Sequence, residues 1–408
     1  MKRKKLAIIG IPRSEYTLNQ AILEAIEMNL IVYLVASKED LGDLDNRLLY
    51  KEVNIIENSL QNEDDVAELL KGNEINLVIS LTEFMLPFAA EIRERLNILG
   101  ESVSVELLVK DKFSTRDLLY KKELSKIKYK KVSDIKELLS LSREQYPFIL
   151  KPNDLTGSIG VRYIENIQDL ENAVNLYRSN EMVKKREFLL EEFIDGVEIS
   201  VEGLVVQGKL YMFAITDKRT TGKPFFVEIG HTVPSVLGNQ KSQICDFLTQ
   251  VIRALGINCS PIHAELKITN DCSFELIEIH TRYGGDMITK LVSDTYNYKL
   301  FGSYYEALLT GKPPTMRNVV KTVSSVEYIF CTEGIIKKFD FPKSCEVMAN
   351  ITEVNILKKE GDQVQGGLFP FERIGYFITH CQSNNSSNDL IKRIRKNIVI
   401  EMLGGENN

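Results

Sequence analysis

The segment Glu275-Leu-Ile-Glu-Ile-His-Thr-Arg-Tyr-Gly-Gly-Asp286 alternates polar and apolar residues, as a half-buried β-strand does. Because successive side chains of a strand point to opposite faces, Glu278, His280 and Arg282 are predicted to share one face. A carboxylate, an imidazole and a guanidinium side by side suit a metal-bound phosphate better than a hydrophobic core. The Gly-Gly turn that follows lets the backbone approach a ligand closely.

A second strand-like run, His263-Ala-Glu-Leu-Lys-Ile268, lies just upstream, and Asn270-Asp271 supplies a turn between the two runs. An antiparallel pairing of these strands places Glu265 beside Glu278. Two adjacent carboxylates repel each other unless a cation lies between them. Mg²⁺ is the usual cation where the ligands are carboxylate and phosphate oxygens. The two runs together therefore predict a magnesium–phosphate site.

The composition is typical of a globular chain with several domains. At 408 residues the chain is too long for one ordinary core, so we expect two or three domains. The hydrophobic fraction of 44% and the charged fraction of 26% are ordinary values for such proteins. The net charge of -6 argues against nonspecific nucleic-acid binding. We expect a small-molecule substrate rather than a nucleic acid, and a homodimer is compatible with the sequence.

The location expected from the sequence is the cytoplasm. The basic start runs straight into a strand, without the longer apolar region of a secretory signal. No apolar segment approaches the ~20 residues that cross a membrane. The six cysteines show no Cys-x-x-Cys spacing, so they are read as reduced thiols.

The first third of the chain alternates strand and helix patterns, which predicts a doubly wound parallel sheet. The predicted elements are a strand at 6–10, a helix at 16–28 capped by Ser14, and strands at 30–35 and 75–80. The loop after the first strand lacks the G-x-G-x-x-G pattern of dinucleotide-binding domains. This region is therefore read as scaffold and substrate wall.

Later segments are assigned more coarsely. We expect a helical region over 105–124, a strand-rich region over 187–217 and a boundary at 310–315. Residues 383–389, with the sequence Ser-Asn-Asn-Ser-Ser-Asn-Asp, are read as a low-complexity loop. Lys218, Arg219 and Lys223 are assigned to a loop that covers the active site and binds acidic substrate groups, or simply lies in solvent.

Two motifs in the middle of the chain suggest nucleotide binding. Lys151 is followed by a loop of small residues that exposes backbone N–H groups, a combination that holds polyphosphate. The loop has no Walker A spacing, so a plain surface turn is an equal alternative. The segment 191–198 places three glutamates near a strand end, where they either read an adenine and a ribose or lie in solvent.

The order of these motifs along the chain resembles the ATP-grasp superfamily. Within it, the chain is most similar to the L-amino-acid ligase group of carboxylate–amine ligases. The segments that carry this resemblance are Asp111-Lys112, Lys151 with its Gly/Ser loop, 191–198, Gly230-His-Thr-Val-Pro234, Glu265 and 278–286.

The resemblance implies a mixed α/β and α+β architecture. This is an ATP-grasp fold preceded by a Rossmann-like (pre-ATP-grasp) domain and followed by a β-rich C-terminal region. The implied boundaries are 1–105 for the first domain, 106–310 for the ATP-grasp domain with a lid lobe at about 125–195, and 311–408 for a C-terminal domain packing on the ATP-grasp core.

The resemblance also assigns roles to matching residues. It implies nucleotide binding by Lys112 and Lys151 at the phosphates, Gly157, Ser158 and Gly160 in the phosphate loop, Glu191, Glu192, Phe193 and Ile194 around adenine, and Glu198 at the ribose. Glu265 and Glu278 would hold Mg²⁺ ions, or Mn²⁺ in their place. Arg282 would hold the acyl phosphate and the oxyanion, and His231 would lie at the substrate end.

His280 departs from the family pattern, which has asparagine at this position. An imidazole nitrogen is a softer donor than an amide oxygen and matches Mg²⁺ poorly. Two alternatives follow. Either His280 ligates a metal with altered preference, or the ring steps back and water takes its place.

The activity implied is ATP-dependent activation of an amino-acid carboxylate as an acyl phosphate. An amine then attacks, giving a dipeptide or dipeptide-like product together with ADP and phosphate. An alternative acceptor is a carrier-protein thiol or another specialised-metabolite acceptor. A carrier protein would need a basic docking surface, for which Lys121, Lys122 and 126–131 are candidates, although such runs are commonly solvated. A third account, a noncatalytic ATP-binding protein, conflicts with the intact acidic and basic set.

Overall fold

The computed structural model describes residues 2–42, 44, 52–139, 146–316, 319–342, 349–365, 369 and 371–403. Four sheets organise this part of the chain. No helix within the described residues is both long enough and apolar enough to cross a membrane.

The N-terminal sheet is parallel and four-stranded, with the order β3-β2-β1-β4. Its strands are β1 (Lys5–Ile9), β2 (Ile31–Ala36), β3 (Asn54–Glu57) and β4 (Leu77–Ser80). Strands β1 and β4 are buried almost throughout, as expected when helices cover both faces of a parallel sheet. The Ser14 side chain accepts the N–H of Thr17 at the start of the first long helix, which confirms the predicted cap.

A second four-stranded sheet, with the order β5-β8-β6-β7 and antiparallel pairing, forms a lobe over 129–192, within the range predicted for the lid lobe, and this name is kept for it. Its strands are β5 (Tyr129–Val132), β6 (Phe148–Pro152), β7 (Arg162–Ile164) and β8 (Phe188–Glu192). The helix Ile167–Ser179 covers one face and buries Tyr177 against Phe188. The small-residue loop connects β6 to β7 and therefore projects from the edge of this lobe.

The central sheet has eight strands in the order β13-β12-β9-β10-β11-β14-β18-β16. They are β9 (Val197–Val206), β10 (Lys209–Thr220), β11 (Glu228–Val233), β12 (Cys259–Ile268), β13 (Phe274–His280), β14 (Val323–Thr332), β16 (Ile351–Ile356) and β18 (Phe371–Cys381). Pairing of β11 with β14 brings β14, β16 and β18, which follow residue 320, into the same sheet. A third small sheet joins β15 (Gly334–Asp340), β17 (Gln363–Val364) and β19 (Val399–Leu403).

The described helices cover the faces of these sheets and include two short segments. They are Glu15–Glu27, Lys38–Leu41, Glu63–Gly72, Leu86–Leu96, Val103–Lys110, Lys112–Lys121, Ile135–Leu138, Ile167–Ser179, Lys241–Leu255, Ile288–Tyr296, Leu300–Thr310 and Asn384–Asn397.

Two predicted elements are wrong in detail. The helical region 105–124 is two helices, because Asp111 has extended backbone and caps the second helix through the N–H of Ser114. Residues 383–389 are not a loop. They form the cap and first turns of the helix Asn384–Asn397, which buries Leu390 and Ile394 against the sheet. Burial of that apolar face outweighs a locally poor helix-forming sequence.

Candidate active site

A cavity of about 1400 Å³ lies between the N-terminal loops, the lid lobe and the central sheet. Most predicted site residues line it: Lys112, Lys151, Gly157, Ser158, Glu191, Glu192, Phe193, Ile194, Glu198, Glu265, Glu278, His280 and Arg282. Gly160 and His231 lie behind its wall. Residues from distant parts of the sequence are thus brought into one concave site, as ligand binding requires.

The predicted phosphate loop has a left-handed backbone. Gly157, Ser158 and Gly160 have φ of 65°, 57° and 73°. Such turns direct successive N–H groups into a concavity that accepts anions. The Ser158 hydroxyl donates to the Phe226 carbonyl at 3.3 Å, and the Tyr163 N–H donates to the Pro224 carbonyl at 2.9 Å. The β10–β11 connection therefore fastens the lid lobe to the central sheet.

Lys112 and Lys151 both line the cavity, and each pairs with a glutamate. Lys151 Nζ lies 2.6 Å from Glu191 Oε2, and Lys112 Nζ lies 2.6 Å from Glu278 Oε1. Both side chains are mostly buried, so the carboxylates offset the cost of holding ammonium groups there. A polyphosphate is a matching anion for both lysines.

The resemblance implies a place for Glu191 at the adenine pocket, and in the structure its carboxylate lies in a buried ionic network. Arg116 donates to it through Nε at 2.6 Å and also to the Leu276 carbonyl at 2.6 Å. Burial alone raises the pKa of Glu191, but Arg116 and Lys151 lower it below its usual value. The carboxylate thus holds Lys151 in place and links the lid lobe to the central sheet through Arg116.

The end of the cavity predicted to hold adenine is aromatic and cationic. Two ammonium groups lie over the Phe193 ring, with Lys223 Nζ 4.5 Å and Lys267 Nζ 4.7 Å from its centroid. Lys267 also donates to the Ile194 carbonyl at 2.8 Å. These cation–π contacts fix the ring at this end of the cavity.

The predicted pairing of Glu265 with Glu278 is confirmed. Glu265 of β12 and Glu278 of β13 are directly opposite in the antiparallel register. Lys218 approaches Glu265 Oε1 at 2.8 Å and also contacts Glu198 and Glu228 at 2.9 and 2.8 Å. Lys218 was assigned to a loop; it lies in β10, fully inside the site wall. That prediction is wrong because an inward-facing polar strand and a polar loop look alike in sequence.

The donor set of this region fits a hard cation. Glu278 Oε1 is buried, and no residue in the described part of the chain gives it an aligned hydrogen bond. Burial alone raises the pKa of both Glu265 and Glu278, yet the neighbouring cations lower both below the usual range. Both groups are therefore ionised, and carboxylate oxygens are the ligands that Mg²⁺ prefers. A Mg²⁺ ion bound there would neutralise negative charge on a phosphate ligand.

His280 lies between two carboxylates. Its Nδ1 is 2.8 Å from Glu83 Oε1, and its Nε2 is 3.2 Å from Glu278 Oε1. Burial alone lowers the pKa of His280, but Glu83 and Glu278 raise it. Glu83 also accepts from Arg282 Nε at 2.8 Å. Glu83 lies in a short 3₁₀ turn after β4, so the N-terminal region contributes directly to the site.

Beyond Arg282, the cavity wall carries both acidic and basic side chains. Glu228 and Asp286 line the wall, and Arg373 binds both Asp286 oxygens at 2.9 and 2.7 Å. Burial raises the pKa of Glu228 to about 7. Potential ligand atoms of Glu228, His231 and Asp286 lie within 4.8 Å of one another. This end is suited to a zwitterion.

His231 is fully buried, and neither ring nitrogen has a hydrogen-bond partner among the described residues. Burial lowers its pKa to about 3, so the ring is neutral near pH 7. Its nearest carboxylate oxygen, on Glu228, is 3.7 Å from Nε2. His231 thus lies beneath the substrate end rather than on its surface.

Gly284 makes a backbone contact that a larger residue would disturb. Its N–H donates to Glu202 at 2.8 Å, and an added Cβ would lie 2.7 Å from His263 Nδ1 and 2.9 Å from Glu202 Oε1. We expect Gly284→Ala to lower the free energy of unfolding by about 1–3 kcal/mol through overpacking. Gly285→Ala is the control, because a Cβ added at Gly285 lies within 4 Å of no described atom. Urea denaturation of both variants measures the difference, and equal losses would contradict this steric account.

Sequence reasoning missed several residues of the site. Glu83 follows the C-terminal end of a parallel strand, where ligands bind in open α/β sheets, and that position was an available signal. Arg116, Glu202 and Arg373 had no local signal, because their partners are far away in sequence.

The chain is similar to known proteins that agree with one another: a family model and two ligases. Residues 144–290 match a family model described as an ATP-grasp domain. Alanine–anticapsin ligase of Bacillus subtilis is 28% identical over 275 residues, which is 61% of this chain and 58% of that protein. An L-arginine-specific L-amino acid ligase of Bacillus subtilis is 22% identical over 345 residues, or 82% of each protein.

The fold has a close structural counterpart. The crystal structure of L-amino acid ligase from Bacillus licheniformis aligns with a TM-score of 0.81 at 21% identity, covering 99% of this chain and 100% of that one. The matches to alanine–anticapsin ligases span only about 58% of the length of those proteins.

Proposed function

Residues 144–290 of this chain match an ATP-grasp domain, and the chain has the ATP-grasp fold. From that premise we propose that it is an ATP-dependent carboxylate–amine ligase. Its substrate is an amino acid, activated as an acyl phosphate and joined to an amine. The products are ADP, phosphate and a dipeptide or dipeptide-like amide. The named ligase relatives support this class of reaction.

The nucleotide binds between the lid lobe and the central sheet in this proposal. Lys112 and Lys151 contact the phosphates, and the backbone of 157–160 closes over them. Phe193 and Ile194 border adenine, while Glu198 lies at the ribose. Glu265 and Glu278 hold Mg²⁺, which supplies charge neutralisation of the phosphates. Support comes from the common cavity and from the paired, ionised carboxylates.

A carboxylate is a weak electrophile, so it must be activated before an amine can attack it. A carboxylate oxygen of the amino acid attacks the γ-phosphorus, and the bond to ADP breaks. The amine of the second substrate then attacks the acyl carbon, loses a proton and expels phosphate. Arg282 holds the planar carboxylate and then the oxyanion, since its guanidinium is always charged. No nucleophilic side chain is needed.

One observation carries the proposal most strongly. The opposed pair Glu265–Glu278 and Arg282 line the same cavity as both lysines, and the wall beyond carries Glu228 and Asp286. A nucleoside triphosphate with its metal ion fits the carboxylate pair, Arg282 and the two lysines. The ammonium of an amino acid fits the wall with Glu228 and Asp286.

The carrier-protein alternative receives no comparable support. In its candidate docking surface, Lys121 pairs with Asp117 at 2.7 Å and Lys131 with Glu187 at 2.8 Å. Ion pairs of this kind reduce the basic potential that an acidic carrier protein would recognise.

A substrate screen tests the proposal. Amino acids are supplied singly and in pairs with ATP and Mg²⁺, and released phosphate is measured together with the mass of the products. We expect ADP and phosphate in equal amounts, with a new amide for at least one pair. Formation of AMP and pyrophosphate, or of no amide from any pair, would contradict the proposal.

A further inference from the structure

Two buried histidines lie side by side behind the proposed metal site. His263 of β12 and His280 of β13 are register partners in the hairpin. Their rings are nearly parallel, with centroids 5.9 Å apart and an angle of 14°. The proposed metal carboxylates are close to them in sequence. Glu265 follows His263 by two residues, and Glu278 precedes His280 by two residues.

His263 bridges two carboxylates. Nδ1 contacts Glu202 Oε1 at 2.5 Å, and Nε2 is 3.3 Å from Glu265 Oε1. Glu202 is completely buried in β9, where it also accepts the Gly284 N–H. The outer carboxylate is therefore fixed by backbone as well as by the ring.

His280 has a similar arrangement with different partners. Nδ1 is 2.8 Å from Glu83 Oε1, and Nε2 is 3.2 Å from Glu278 Oε1, a close contact that is not aligned as a hydrogen bond. Glu83 comes from the N-terminal region rather than from the central sheet, and Arg282 holds its second oxygen. Two chains of carboxylate, imidazole and carboxylate thus run in parallel.

The proposed metal carboxylates are approached in the same way. Each has its Oε1 facing one imidazole and one lysine, Lys218 for Glu265 and Lys112 for Glu278. No described residue donates to Oε2 of either carboxylate. In both rings, each nitrogen faces a carboxylate oxygen, so neither ring offers an unpaired nitrogen that would hold a metal.

We propose that His263 and His280 are positioning residues that orient Glu265 and Glu278, and that the metal ions are held by oxygen ligands alone. The inference rests on the proposed function. Groups that orient metal ligands in this way change metal affinity or activity by roughly 10–100-fold when removed. It also resolves the position of His280, whose ring does not replace the asparagine ligand of related enzymes.

The test is direct binding of Mn²⁺ in the presence of a non-hydrolysable ATP analogue, followed by electron paramagnetic resonance. The variants are His263→Gln and His263→Leu, with the same pair at His280. Glutamine retains a donor close to the position of Nε2, whereas leucine removes it. Glu101→Gln is the control, because Glu101 is an equally buried carboxylate that accepts backbone N–H groups away from the cavity.

We expect the leucine variants to weaken Mn²⁺ binding by about tenfold or more, with glutamine restoring much of the loss. The KM for Mg²⁺ should rise in parallel, while kcat at saturating Mg²⁺ changes less. Electron spin echo spectra of the wild-type complex should show no directly coordinated imidazole nitrogen. Calorimetric unfolding of each variant separates this effect from a loss of fold.

Three results would overturn the inference. The first is a directly coordinated nitrogen signal that disappears in a histidine variant. The second is unchanged Mn²⁺ affinity in folded leucine variants, and the third is no Mn²⁺ binding by the wild-type protein. A wild-type protein that binds Mn²⁺ and nucleotide but forms no amide would reject the proposed ligase activity while these binding measurements still decide the role of the histidines.

Discussion

Replacing Glu278 by glutamine is expected to lower kcat/KM for ATP by roughly a thousandfold, about 4 kcal/mol of transition-state stabilisation. The amide has the same shape, but it removes the negative charge that faces Lys112 at 2.6 Å and that is proposed to hold Mg²⁺. Steady-state kinetics at several Mg²⁺ concentrations measure the effect. Added Mg²⁺ is not expected to restore the rate, since an oxygen ligand is lost rather than reoriented.

The matched control is Glu372→Gln. Glu372 pairs with Lys358 at 2.9 Å in β18 and lies outside the cavity. Its ion pair is partly exposed, so the substitution should leave kcat/KM within about threefold of the wild-type value. A similar loss in both variants, or activity above a tenth of the wild-type value in Glu278→Gln, would contradict the assigned role.

Replacing Arg116 by methionine is expected to lower the free energy of unfolding by about 3–5 kcal/mol, because it leaves the buried Glu191 carboxylate with one cation instead of two. The Leu276 carbonyl also loses its 2.6 Å donor. The KM for ATP should rise as well, because Glu191 then draws Lys151 away from the phosphates. Urea denaturation and ATP kinetics measure the two effects.

Arg95→Met provides the comparison for that prediction. Arg95 pairs with Asp64 and Glu91, each at 2.6 Å, but these ion pairs are exposed to solvent. Exposed pairs contribute about 0–1 kcal/mol, so this variant should retain nearly all of its stability. A loss below about 1 kcal/mol in Arg116→Met would show that the buried network is not a support of the lid lobe.

The fold class was predictable because its signals are local. Alternating strand and helix patterns predicted the parallel N-terminal sheet, and the structure confirms it. Two alternating runs joined by a short turn predicted that Glu265 would face Glu278, and the register confirms this as well. The resemblance to the ATP-grasp superfamily is confirmed by the family match and the fold.

The remaining site features depend on contacts between distant segments. Glu83 and His280 are 197 residues apart, and no pattern within either segment predicts their contact. Lys218 occurs in a run of polar residues that a solvated loop would share, yet it is 2% exposed beneath the carboxylates. Tertiary packing decides which polar faces are buried, and local composition does not contain that information.

In the proposed reaction, ATP activates an amino-acid carboxylate as an acyl phosphate. The most direct measurement uses an amino acid with ¹⁸O in its carboxylate and follows the label by mass spectrometry of the products. We expect one ¹⁸O atom to be transferred to each inorganic phosphate released with the amide. Label found in AMP, or phosphate released without ¹⁸O while the amide forms, would contradict it.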